Sequence, residues 1–211
     1  MSYTLYGRPW AGSIVVEFVL EELGVAYKRS LVTGYREAIQ PPSFAAINPL
    51  RQVPALVDGN GHVMTESGAI TMLLAQRHGD GVLLPQAGGP EEADHLRWMF
   101  YLAATIYPTS MQMFHPENYT DEPAHHDGIV ERTWTVLNQQ WQVIAGALDG
   151  RLHLVGDRLT AADLYLTMFV QWFKQMERIE DDPRIRPFRD HHLNREPIAR
   201  IIARHESGDW A

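Results

Sequence analysis

Segments with strand character are confined to the first third of this 211-residue chain, and this asymmetry constrains the fold more than any other feature. Up to residue 80, short apolar runs alternate with runs of helical spacing in the order β-α-β-α-β-β-α. Asp58-Gly59-Asn60-Gly61 separates the last two strands and is typical of a hairpin turn, which predicts an antiparallel edge on a mixed sheet. The predicted elements are Tyr3–Tyr6, Ser13–Leu23, Val25–Val32, Tyr35–Ile47, Pro54–Val57, His62–Thr65 and Glu66–His78.

The rest of the chain carries almost only helical spacing. It follows residues 79–92, which are rich in Gly and Pro, as interdomain linkers often are. Thr160–Phe173 is apolar on nearly every face and is predicted to be a central buried helix, whereas the runs that begin near Leu96 and Val130 are amphipathic. We therefore predict an α/β domain at residues 1–80 and an all-helical bundle at residues 91–211.

Composition narrows the classes of function. The chain has 18 Lys and Arg against 26 Asp and Glu, a net charge of −8, which argues against binding to a nucleic-acid backbone. It has no cysteine, so disulfides, thiolate metal sites and a nucleophilic or redox cysteine are excluded, and any thiol chemistry needs a thiol from a ligand. Neither a signal peptide nor a membrane-spanning run is visible, which predicts a cytoplasmic protein that does not bind membranes.

The ten histidines do not form a recognisable metal motif. His125-His126 and His191-His192 are adjacent pairs, and neighbours on a helix point about 100° apart, so the two members of a pair do not easily share one ion. Neither an HExxH motif nor a Cys/His cluster is present. The sequence therefore predicts no catalytic metal.

The loop Asn48–Leu56 leads into the third predicted strand. It resembles the corresponding loop of the glutathione transferase family, in which the proline is cis and the residue before it offers its backbone N–H and C=O to the cysteinyl part of glutathione. The resemblance implies a cis Val53–Pro54 bond and places Gln52, Val53 and Pro54 at the ligand. From the residues alone, a trans Val-Pro at the start of a strand is the alternative.

A second motif, Thr65-Glu66-Ser67, begins eleven residues after Pro54, at the mouth of the next predicted helix. It resembles the Glu/Gln-Ser pair with which the family holds the γ-glutamyl end of glutathione. The resemblance implies that the Ser67 hydroxyl and the free N–H groups of the helix receive a carboxylate, while Glu66 pairs with the ammonium group. The alternative is plain helix capping by Thr65 or Ser67.

A third motif lies at residues 156–163, before the predicted central helix. It resembles the buried capping box of the family, because Thr160 and Asp163 stand three residues apart and each can satisfy a backbone donor. This motif implies a structural role for Asp163 and no part in the chemistry.

Together the three motifs resemble the cytosolic glutathione S-transferase family. The resemblance implies a thioredoxin-like βαβαββα domain followed by a helical bundle, assembled as a homodimer. It implies glutathione as co-substrate, no metal, and conjugation of the glutathione thiolate to small hydrophobic electrophiles in detoxification. Two alternatives stay open: a glutathione-dependent isomerase, dehalogenase or peroxidase for a specific metabolite, and a noncatalytic scaffold that binds glutathione.

The hydroxyl that activates the thiol is the least determined part of the predicted site. The positions at which Ser- and Cys-type members carry the working residue fall on Trp10, Ala11 and Gly12, and none of these has a side-chain O–H. Ser13, at the predicted helix start, is the first candidate, and Tyr6, where Tyr-type members place their phenol, is the second.

The pocket for the second substrate is predicted between the loop before the first helix and the long helix after the linker. Met and aromatic side chains suit electrophiles of varied shape, although at helical spacing they also suit a plain core. The candidates are Trp10, Tyr107, Met111, Met113 and Phe114.

Overall fold

A computed structural model describes residues 2–34, 38–79, 81–174 and 182–209. The strands are β1 (Tyr3–Gly7), β2 (Tyr27–Leu31), β3 (Ala55–Val57) and β4 (Val63–Met64). The helices are α1 (Ser13–Glu22), α2 (Phe44–Ile47), α3 (Ser67–His78), α4 (Pro90–Tyr101), α5 (Tyr107–Phe114), α6 (His126–Leu148), α7 (Ala161–Lys174), α8 (Arg186–Leu193) and α9 (Glu196–Ser207). The predicted class, an α/β part followed by a helical part, is confirmed. Across the four described ranges, no helix has both the length and the apolarity of a membrane span.

The sheet is mixed and has the strand order β2-β1-β3-β4. β1 is parallel to β2 and antiparallel to β3, which in turn is antiparallel to β4. The Asp58 carboxylate closes the turn between β3 and β4 by accepting hydrogen bonds from the N–H groups of Asn60 at 2.9 Å and His62 at 3.1 Å. The predicted hairpin and its antiparallel edge are therefore confirmed.

The helix predicted over Tyr35–Ile47 is mostly wrong. Residues 35–37 lie outside the described residues, and α2 covers only the last four positions of the prediction. The cause is local: Pro41 and Pro42 lack the N–H groups that a helix needs, and Thr33 forms an isolated antiparallel bridge with Gln40 instead.

α1 lies at the centre of the molecule. It packs against β1 and α3 on one side and against α7 and α9 on the other, and all residues from Ser13 to Leu20 are buried. α7 is buried without interruption from Ala161 to Gln171, which confirms the predicted central helix. A continuous hydrophobic cluster includes Leu5, Phe18 and Phe169, so the α/β part and the helical part share one core.

α4 and α5 form one helical rod that is interrupted by a π-helical turn over Leu102–Ile106. In this turn the Tyr107 N–H donates to the Leu102 carbonyl, five residues back. Pro108 explains the wider turn, because a proline lacks an N–H and its ring clashes with a carbonyl of the preceding turn in a regular α-helix. The turn fixes the direction of Tyr107 at the start of α5.

Candidate functional site

A cavity of about 430 Å³ opens between the α/β part and the helical part. One wall comes from the loop before β3 and the start of α3, and the other comes from the α4–α5 rod and α7. The structure brings all five residues assigned to glutathione binding to this cavity: Gln52, Val53, Pro54, Glu66 and Ser67.

The loop before β3 presents main-chain groups to the cavity. The Val53–Pro54 bond is cis, as the resemblance implies. Asn48 holds the loop from inside, because its side-chain amide donates to the Gln52 carbonyl at 2.7 Å and its amide oxygen accepts from the Leu50 N–H at 3.0 Å. These bonds fix the position of the peptide groups around Val53, just before β3, an inner strand of the sheet.

The start of α3 carries no side-chain cap, which disfavours the simple capping alternative for this motif. The N-cap residue Glu66 has φ +65°, a conformation that costs a non-glycine residue roughly 1–3 kcal/mol and that concentrates at functional sites. Ser67 is turned instead toward α7, where its hydroxyl lies 2.7 Å from the Tyr165 hydroxyl. The first turn of α3, including Gly68 and Ala69, thus faces the cavity with N–H groups that no side-chain cap satisfies.

Neither of the two candidate hydroxyls lines the cavity. Ser13 is fully buried, and its hydroxyl donates to the Arg8 carbonyl at 3.1 Å and accepts from the Arg8 N–H at 3.3 Å, so it closes the turn between β1 and α1. Tyr6 alternates with the buried residues of β1, and its ring packs on Phe44 at a centroid distance of 5.6 Å, on the other face of the sheet from α1.

The hydroxyl of Tyr107 lies at the start of α1, beside residues 10–12, which have no side-chain O–H of their own. Tyr107 lines the cavity, and a Cβ added at Gly12 would collide with its hydroxyl oxygen, so the phenol occupies the space of a side chain at the start of α1. Burial raises the pKa of Tyr107 to about 12, and the hydroxyl therefore keeps its proton near neutral pH. Arg8 and Glu66 act on this pKa in opposite directions, the first lowering and the second raising it.

The other predicted pocket residues do not line this cavity. Trp10 packs its ring on His205, Phe114 stacks on Phe173, Met111 is half-buried and Met113 is buried in the core. Of the residues of α5, only Tyr107, the first, lines the cavity. The apolar wall consists of residues that the sequence analysis did not name: Met72, Met99, Phe100, Ala103 and Ala104.

A buried hydrogen bond between His205 and Glu17 holds the loop before α1 in place. The Trp10 N–H donates to His205 Nδ1 at 3.2 Å, and His205 Nε2 donates to the Glu17 carboxylate at 2.8 Å. Trp10 itself has φ +58°, a strained value for this residue. α9 thus fixes the loop that carries Gly12, an arrangement that sequence analysis missed because the partners lie in distant parts of the chain.

Residues 5–85 match the family model of the glutathione S-transferase N-terminal domain. An uncharacterized GST-like protein, YncG, of Escherichia coli K12 is 28% identical over 184 residues, which cover 84% of this chain and 85% of the relative. The glutathione S-transferase GstA of Escherichia coli O157:H7 is 27% identical over 169 residues, which cover 80% of this chain and 81% of the relative.

A solved structure agrees over the whole length. A glutathione transferase homolog from Lodderomyces elongisporus, with two GSH per subunit, superposes with a TM-score of 0.85 at 22% identity, and the match covers 96% of this chain and 98% of that chain. Residues 5–85 thus match the N-terminal domain of the glutathione S-transferase family, and the relatives extend this similarity to about four fifths of the chain.

Proposed function

We propose that this protein is a glutathione transferase that conjugates the thiolate of glutathione to small hydrophobic electrophiles. In this proposal residues 1–80 bind glutathione and residues 91–211 complete the pocket for the electrophile. One observation supports it above the others: a single cavity joins the main chain at Val53 and the uncapped start of α3 to an apolar wall from the α4–α5 rod.

The α/β wall offers each part of glutathione a group of fitting chemistry. The backbone N–H and C=O of Val53 suit the peptide groups around the cysteinyl residue. The N–H groups at the start of α3, with the Ser67 hydroxyl, suit the γ-glutamyl carboxylate, because a helix N-terminus attracts anions. The Glu66 carboxylate, exposed at the cavity rim, suits the ammonium group.

The chemistry requires a thiolate at the start of α1. A free thiol with a pKa of about 8.5 is mostly protonated at neutral pH, and a reduction of about two pKa units needs roughly 2.7 kcal/mol of differential stabilisation. A hydrogen bond to a charged acceptor contributes about 1.5–3 kcal/mol. We assign this bond to the Tyr107 hydroxyl rather than to Ser13 or Tyr6, because Tyr107 lines the cavity beside Gly12.

The conjugation needs no reactant other than glutathione and the electrophile. The thiol proton leaves to solvent, and the thiolate sulfur attacks the electrophilic carbon to form a new C–S bond. The leaving group departs with the electron pair of the broken bond, or, in an addition, the substrate takes up a proton.

The proposal is tested by retention on immobilised glutathione together with an absorbance titration of the bound thiolate. We expect the wild type to be retained and to bind glutathione with a thiol pKa well below that of the free tripeptide. Glu66→Gln should weaken retention about tenfold, since it removes a charged contact with the ammonium group, whereas Glu117→Gln, far from the cavity, should not. Absence of binding by the wild type contradicts the proposal.

A noncatalytic glutathione-binding module is the second candidate, because residues 10–12 offer no side-chain O–H. It predicts retention on glutathione with an unshifted thiol pKa. A specific isomerase, dehalogenase or peroxidase would show the shifted pKa but little activity on general electrophiles.

Enlarging Gly12 is expected to disable thiol activation. In Gly12→Ala the new Cβ collides with the Tyr107 hydroxyl and displaces it from the start of α1, so the activity at neutral pH should fall at least about tenfold, the equivalent of one hydrogen bond. Gly146→Ala is the matched control, because a Cβ at this exposed helical position meets nothing. Equal activities of the two variants would mean that the reaction does not need a hydroxyl beside residue 12.

A further inference from the structure

A second cluster of chemically active side chains lies away from the glutathione cavity. His153 precedes α7, Asp163 lies in the first turn of α7, and His192 lies in the last turn of α8. One potential ligand atom from each of these three residues lies within 4.8 Å of the other two. The side chains of Asp163 and His192 are buried, and that of His153 is 12% exposed.

A hydrogen bond from His192 to a backbone carbonyl defines the tautomer of this histidine. His192 Nε2 lies 2.8 Å from the Leu152 carbonyl, which can only accept, so Nε2 carries the proton and Nδ1 presents a lone pair. Within the described part of the chain this buried Nδ1 has no hydrogen-bond partner.

His153 provides the second ring nitrogen of the cluster. Its buried Nδ1 also lacks a hydrogen-bond partner among the described residues, and it lies 3.7 Å from Asp163 Oδ2. Buried polar atoms without partners are rare, and two of them on the rings that converge on Asp163 call for a physical explanation.

The carboxylate of Asp163 is oriented by its capping role. Oδ1 accepts from the Leu154 N–H at 2.8 Å, and Oδ2 accepts from the Thr160 N–H at 2.7 Å and hydroxyl at 2.9 Å. One of the two predicted capping contacts is present, because Asp163 accepts from the Thr160 N–H, whereas the Thr160 hydroxyl donates to the carboxylate and the Asp163 N–H bonds to the Thr160 carbonyl. These bonds hold the carboxylate beside the two imidazoles. An ion at this carboxylate would replace the rotatable Thr160 hydroxyl and leave both backbone bonds intact.

We propose that His153, Asp163 and His192 form a binding site for a divalent transition-metal ion of the Zn²⁺ type. Two imidazole nitrogens and a carboxylate oxygen are ligands that suit this ion. A histidine that binds a metal through one ring nitrogen usually donates from its other nitrogen to a carbonyl or carboxylate, as His192 does to Leu152. In a tetrahedral site the ligand atoms lie about 3.3 Å apart, so binding needs a small inward shift, which His153 at the rim can make. The ion joins the loop before α7 to α8.

The site combines histidines that are not neighbours in sequence. His191 packs its ring edge-on against both His153 and His192, at centroid distances of 5.5 and 4.9 Å, but it is not one of the three residues whose ligand atoms converge. It therefore provides a control with the same chemistry at nearly the same place.

The test is a Zn²⁺ titration of the full chain, freed of metal by chelation and measured by calorimetry and by thermal unfolding. We expect the wild type to bind one equivalent and to unfold at a higher temperature with Zn²⁺. His153→Ala should lose at least about tenfold in affinity together with the thermal shift. His191→Ala should retain both.

Two outcomes overturn the proposal. In one, the wild type binds no Zn²⁺, and the unpartnered nitrogens then face a buried water. In the other, His153→Ala and His191→Ala bind as the wild type does, and Zn²⁺ then sits on surface histidines. The titration contains no glutathione, so its result is independent of the proposed transferase function.

Discussion

Truncation of Glu17 to alanine is expected to lower the free energy of unfolding by roughly 2–3 kcal/mol, because it leaves a buried N–H donor without its acceptor. Glu17 lies on α1 and is fully buried. Its carboxylate accepts from His205 Nε2 at 2.8 Å and from the Tyr27 hydroxyl at 3.4 Å, and Arg204 approaches it to 3.7 Å. Without the carboxylate, the N–H of the buried His205 loses its acceptor in a region that water does not reach.

Urea denaturation measures this loss, and two further variants show its cause. Glu17→Gln keeps an oxygen that can accept from His205, so it should cost clearly less than Glu17→Ala. Asp94→Ala removes a partner of Arg97 from a pair whose side chains are 61% and 55% exposed, and it should cost at most about 1 kcal/mol. If Glu17→Ala unfolded no more easily than Asp94→Ala, the buried pair would not stabilise the fold.

The pair also connects stability to the site. His205 accepts from the Trp10 N–H with its other nitrogen, so loss of its hydrogen bond to Glu17 should release the loop that ends at Gly12. We infer that α9 stabilises the start of α1 and thereby the position at which a thiolate would be stabilised.

Much of this fold could be predicted from local sequence signals. Asp58-Gly59-Asn60-Gly61 specifies a hairpin through its own turn chemistry, and the apolar residues of α7 occupy every face of a helix, which only a central position permits. Both signals act over a few residues. The helix prediction for Tyr35–Ile47 was wrong because Pro41 and Pro42, which are local signals too, outweigh a weak helical pattern.

Residues of the site could be predicted only where they belong to a short, continuous motif. The segments 48–56 and 65–67 are each continuous, and both contribute residues to the α/β wall of the cavity. The hydroxyl of Ser13 could not be placed in this way, because the sequence does not show that it closes a turn on Arg8. The pair of Glu17 and His205 spans 188 residues, and no local pattern reports a contact of that kind.

Tyr165 was missed although a signal for it exists. It lies in a helix that is otherwise almost wholly apolar, and its hydroxyl meets Ser67 at the start of α3. A buried tyrosine usually finds a partner for its hydroxyl, so a tyrosine in the central helix indicates a polar group from another element. Which element supplies that group depends on how α7 is rotated against the α/β part.

Replacement of Tyr107 by phenylalanine is expected to raise the pKa of the bound glutathione thiol by about 1–2 units. The change removes one hydrogen bond to a charged sulfur, about 1.5–3 kcal/mol, and each pKa unit corresponds to about 1.4 kcal/mol. The activity at neutral pH should fall about ten- to hundredfold and should recover as the pH rises through the new thiol pKa. The ring itself is retained, so the packing of Tyr107 on Phe169 and Trp172 should persist.

Two variants separate this effect from a general loss of a hydroxyl. Tyr101→Phe makes the same chemical change on the same rod, but its hydroxyl donates to the Gln140 carbonyl at 2.9 Å, so the thiol pKa should not move. Ser13→Ala should alter the turn at Arg8 and the stability more than the thiol pKa. If Ser13→Ala raised the thiol pKa while Tyr107→Phe left it unchanged, the activating hydroxyl would come from α1, and the phenol beside Gly12 would serve only to fill the cavity wall.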